Sequence, residues 1–140
     1  MISYEMAKEL QKAGLKWNPE VGDLFYYAEG TKYDSLSKHD EKASPYTGEV
    51  YGFADEILDF IEEGEFVFVP SLSQMLKEIK ALGYLYLLLF VPHAYLTDYL
   101  CCITKDGSSW GQNIVDSSTE KAVARALLWA LEKEVYHAGD

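Results

Sequence analysis

The run Tyr84–Val91, YLYLLLFV, places eight apolar or aromatic residues in succession, with no charge among them, in a chain of net charge −11. A second apolar run, TDYLCCIT over 97–104, follows after five residues. Eight residues are too few to cross a bilayer, which takes about 20 in a helix. A strand with one wet face alternates apolar and polar side chains, and Tyr84–Val91 does not alternate. The run therefore predicts a strand covered on both faces. The short turn through Pro92, His93 and Ala94 predicts an antiparallel partner over 97–104.

The remaining elements follow from spacing and punctuation. Ser3 caps a helix over 3–13 that Gly14 ends. After the Asn18-Pro19 turn, a strand is expected near 23–28. The polar stretch 29–52 predicts no more than short edge strands near 32–35 and 49–53. FADEILDFIEE over 53–63 fits a helix with one acidic face, and EFVFV over 65–69 fits a strand. Ser71 and Gln74 form a capping box. Leu72, Met75, Leu76, Ile79 and Leu82 then recur at helical spacing up to Gly83. Strand, helix and strand in succession predict a crossover with parallel strands. DGSSWGQNIVDSS reads as a loop. The closing helix STEKAVARALLWALEKEVYH takes Ser117 and Glu120 as its capping box and Val123, Ala126, Leu127, Ala130 and Leu131 as its buried stripe. The fold class is α+β. One domain over residues 1–140 is expected, a mixed, mainly antiparallel sheet of four to six strands with helices on both faces (α/β/α layers).

Charge removes several function classes. With 23 acidic against 12 basic residues, and Arg125 the one arginine, no basic cluster can displace counterions from a nucleic acid or meet an anionic membrane. MISYEMAKELQK lacks the pattern of a secretion signal, so a cytoplasmic location is expected. Cys101 and Cys102 are neighbours on a strand, point to opposite faces and read as reduced core thiols. No His, Cys or carboxylate set has metal-ligand spacing, and no metal or cofactor is expected.

GSSWG over 107–111 matches G-x-S-x-G, but a nucleophile elbow passes directly from strand to helix, and here five residues intervene. His137 would also lie roughly 25–30 Å along the closing helix from its start, beyond reach of Ser109. His93 stands at a turn after an apolar strand, with Tyr95, Asp98 and Trp110 near in sequence. A His–Asp pair there could act as a general base, although a turn histidine bonded to backbone or water is the plainer reading. Tyrosine hydroxyls suit interfaces better than dry cores. Tyr26 and Tyr33 are therefore contact candidates, as are Leu128 and Trp129, which fall off the closing helix's stripe.

At KAGLKWNPEVGDLFYY, FVPSLSQMLKEIKALGY and STEKAVARALLWALEKE the chain resembles small proteins of Gram-positive bacteria and their prophages, in outline the phage ABA-sandwich domain group. That resemblance implies helix–sheet–helix layering and brings no catalytic residue. No motif in the chain specifies a reaction. The first expectation is a non-enzymatic interaction or accessory protein, homo-oligomeric or bound to a protein partner. The alternatives are a small-molecule binder or enzyme with a pocket near His93, Tyr95 and Trp110, and an acidic mimic of nucleic acid.

Overall fold

The computed structural model describes residues 1–28, 47–49, 66–92, 97–105 and 111–138. In chain order these form α1 (Tyr4–Lys12), β1 (Leu24–Tyr27), β2 (Thr47–Glu49), β3 (Phe66–Val69), α2 (Leu72–Ala81), β4 (Leu85–Pro92), β5 (Thr97–Thr104), β6 (Gln112–Asp116) and α3 (Thr119–Ala138). The class is α+β, and every strand pairing is antiparallel. The chain groups into two compact units, Ser3–Pro70 and Ser71–Asp140, the second also holding Met1 and Ile2. The helix expected over 53–63 and the edge strand expected near 32–35 lie outside the described residues. Of the strand expected near 49–53, residues 50–53 also lie outside them, and Glu49 is the last residue of β2.

In the first unit the strand order is β2-β1-β3. Ser3 Oγ accepts the Met6 amide at 3.2 Å and opens α1. Gly14, at φ +104°, closes it, and the Leu15 amide reaches back to the Leu10 carbonyl. Helix α1 packs on β3 through a face that buries Ala7 and Leu10, and the Tyr4 ring meets Tyr26 edge-on at 5.6 Å. Register sets Phe25 opposite Phe68 and Tyr27 opposite Phe66, so these four rings share one side of the sheet. Tyr26 and Val67 point to the other side and are buried as well. Trp17 stacks on Phe68 at 5.0 Å, and its Nε1–H donates to Asp23 Oδ2 at 2.9 Å. The same oxygen accepts the Glu20 amide at 3.0 Å, which folds the Asn18-Pro19 turn back on β1.

In the second unit the order is β4-β5-β6, with β5 in the centre. The capping box at Ser71 and Gln74 is formed in both directions. Gly83, at φ +91°, ends α2, and the Tyr84 amide donates to the Ile79 carbonyl. Helix α3 packs on β5, β6 and α2. It buries Ala122, Val123, Ala124, Ala126, Leu127, Ala130 and Leu131, an arc of about 200° at 100° per residue. The arc exceeds the expected stripe because the helix meets a sheet and a second helix.

Four expectations are corrected. Strands β3 and β4 fall in different sheets, so the crossover with a parallel pair is absent. Residues 112–116, expected as loop, form β6 on the far side of β5. Strand β4 has no second neighbour among the described residues, and its Leu85, Leu87, Leu89 and Phe90 are 56%, 40%, 44% and 56% exposed. Two-sided burial is found instead in β1, in β3 and in the Cys101–Thr104 stretch of β5. Finally, the cap of α3 is Ser118, whose Oγ accepts the Lys121 amide at 3.1 Å. Ser117 is engaged by Asp116 Oδ1, which accepts its amide at 2.7 Å.

Both ends of α2 are testable. Ser71→Ala should lower the unfolding free energy by about 1 kcal/mol through loss of the cap. Gly83→Ala should lower it by about 1–2 kcal/mol, because a Cβ disfavours the left-handed backbone. Urea titrations at constant m-value measure both, and two losses within error of zero would refute the role given to these ends.

Candidate functional site

The alternation of side chains along β4 and its register with β5 define two flanks. Leu85, Leu87 and Leu89 lie on the side of Thr104, Cys102 and Leu100, which continues to Val115 of β6. Tyr86, Leu88 and Phe90 lie on the side of Ile103, Cys101 and Tyr99, which continues to Ile114. The second side is the more deeply closed at its centre, with Cys101 and Ile103 at 0% exposure. Toward β4 both sides open. Tyr86 and Phe90 are exposed on one, and Leu85, Leu87 and Leu89 on the other. Phe90 keeps a tilted ring contact with Tyr99 at 5.5 Å. Val115, half exposed, adds apolar surface at the opposite rim.

Large apolar side chains exposed singly on a surface need no explanation, but contiguous ones mark a contact. Here they sit on one strand with a hydrogen-bonded neighbour on one edge only among the described residues. Natural edge strands are commonly protected by lysine, proline or a bulge. Between Leu85 and Val91 there is no charge and no proline. The near end of the strand is closed by polar contacts. Lys105 Nζ pairs with Glu134 and lies 5.0 Å from the centre of the Tyr84 ring, which meets Trp129 edge-on at 5.9 Å.

Of the eight residues singled out from sequence, Tyr26, Asp98, Leu128 and Trp129 fall within the described structure. His93, Tyr95, Trp110 and Tyr33 lie outside the described residues, as does Ser109. Asp98 is half-buried near the start of β5, opposite Val91. Tyr26, expected at a contact surface, is 3% exposed and belongs to the interior of the first unit. Burial, with the nearby Glu5 charge, raises its hydroxyl pKa. Leu128 and Trp129 are half-buried and border the buried arc of α3 on its two opposite sides. The outer face between them carries Lys121, Arg125 and Glu132, so they do not form one apolar edge. Arg125 donates to the Val115 carbonyl at 3.1 Å and pairs with Asp116 at 3.3 Å. Helix α3 runs unbroken to Ala138, which leaves position 137 at its far end.

Other chemistry is sparse among the described residues. No group of three or more His, Cys, Asp and Glu could hold a metal, and no helix is long and apolar enough to cross a membrane. A hollow lined by Ala7, Gln11, Leu15, Trp17 and Phe68 measures about 60 Å³. That holds one or two waters, whereas ligand sites run to about 300–1,000 Å³. Both cysteines are free and buried. Burial pushes the Cys101 thiol up to about 11, with a lesser contribution from Cys102, and raises Cys102 as well. These are inert thiols, since reactivity belongs to the thiolate. Compared with protein-family models, curated proteins and solved structures, the chain matches none.

The raised Cys101 pKa fixes the sign of a pH dependence. The folded state holds the proton after the unfolded chain, near pH 8.5, has begun to lose it. Its contribution to stability is therefore complete below about pH 8.5 and declines as pH rises toward about 11. Denaturant midpoints over this range should fall more steeply for the native chain than for Cys101→Ala. Equal slopes would contradict the assignment.

Proposed function

We propose that this protein is a non-enzymatic interaction module whose contact surface is the exposed strand β4 with its flanking side chains. The observation that carries this reading is the run of exposed Leu85, Tyr86, Leu87, Leu89 and Phe90 on a rim strand lacking any charged residue up to Val91. An accessory protein needs a surface that loses water on contact and backbone groups ready to pair, and an apolar edge strand supplies both. The buried, unpaired thiols fit a cytoplasmic setting, and the resemblance to small prophage proteins fits an accessory role.

The second reading, a pocket enzyme centred on His93, Tyr95 and Trp110, rests on residues outside the described structure, and no described residue adds to it. An acidic mimic would present an array of carboxylates, whereas the open surface at β4 is apolar.

Immobilised protein panned against displayed peptides, with the chain itself included as a ligand, tests the reading. Selected ligands should bind saturably and lose at least tenfold in affinity to Leu89→Lys, whose side chain is 44% exposed and so tolerates charge without loss of the fold. Absence of any ligand, the chain itself included, would end the proposal.

A further inference from the structure

Strand β4 has an internal symmetry that bears on its partner. Read about Leu88, Tyr86-Leu87-Leu88-Leu89-Phe90 has nearly the same character in both directions. We infer that the occupant of the β4 edge is a second copy of this chain, paired antiparallel about a two-fold axis at Leu88, so that two three-stranded sheets become one of six. This rests on the reading of β4 as a contact surface and goes further by naming partner and register.

A two-fold contact uses the same patch twice, so the patch must complement itself. In this register Tyr86 faces Phe90 of the other copy, Leu87 faces Leu89, and Leu88 faces Leu88. Aromatic and aliphatic pairs across antiparallel strands are the stabilising kind, and no like charges meet. Parity is preserved as well. Residues 87 and 89 lie on one side of the sheet and 86 and 90 on the other, so each side of one copy continues into the same side of the next. The pairing also supplies ladder partners for the backbone groups of the open edge.

The exposed portions of the five large side chains from Leu85 to Phe90 come to about 500 Å² per copy, so their complete burial in both copies would remove about 1,000 Å², the lower bound for a specific interface. Each copy carries a net charge of −11, so association is opposed by long-range repulsion. Added salt screens that repulsion and should tighten the dimer, the reverse of what an interface held by ion pairs would show.

Charge complementation tests partner and register together. Tyr86→Lys and Phe90→Glu are prepared separately; both positions are exposed, and circular dichroism confirms folding. Sedimentation velocity over a concentration series should show the native chain dimerising and each variant weakened at least tenfold. The equimolar mixture should regain dimer, because lysine at position 86 of one copy then faces glutamate at position 90 of the other. If both variants dimerise as the native chain does, or if the mixture fails to regain dimer, the two-fold pairing is overturned while the interaction reading stands. If the native chain is monomeric throughout, the second copy is excluded, and peptide ligands sensitive to Leu89→Lys would then identify a different occupant.

Discussion

Strand β5 carries four consecutive buried residues, Cys101 to Thr104, and over Cys101 to Ile103 a hydrogen-bond ladder on each edge, so that stretch has neither a free edge nor a wet face. The rest of the second unit is placed by this strand. A buried strand is stable only if all its backbone groups are paired, which requires neighbours on both sides. The hairpin supplies β4, and the chain must return to supply β6. Once β6 is in place, the described sheet has β4 and β6 at its outer edges, and the longer of them, β4, is the apolar one. The open surface is thus a consequence of where the best-protected strand sits.

Helix α3 makes that placement possible. Among the residues of described burial, four of the seven it buries are alanines, which let the helix come near both the sheet and α2. Larger residues at these positions would hold the layers apart or strain the side chains between them. The one arginine of the chain ties the outer side of the same helix to the end of β6, through the Val115 carbonyl and Asp116. The pair is partly exposed and adds little energy of its own. Its effect is positional, holding β6 against the helix that follows it.

What could be read from the sequence was what neighbouring residues decide. Ser71 with Gln74, Gly14 and Gly83 act within four residues of themselves, and their roles appear as expected. The hairpin of β4 and β5 was legible for the same reason, since a short connection permits little else. Strand β6 was hidden because Gln112, Asn113 and Asp116 make its composition that of a loop, and only pairing of Ile114 with Cys101 makes it a strand. The position of β4 was hidden in turn, because a run of leucine and aromatic residues looks alike in the middle of a sheet and at its rim. Between adjacent serines, the choice of Ser118 over Ser117 as cap depends on Asp116 engaging Ser117. Tyr26 was misjudged because a ring that meets Tyr4 edge-on in a core has the same composition as one that awaits a partner.

The order of strands in the second unit also has a bearing on synthesis. The central strand leaves the ribosome before the strand and helix that shelter it, so the nascent hairpin lacks its β6 neighbour and its covering helix until residues 112–138 have emerged. During that interval the leucine-rich ribbon is most open to adventitious pairing with other chains. Slow translation beyond Thr104 would prolong the exposure, and fast completion of the terminal helix would shorten it.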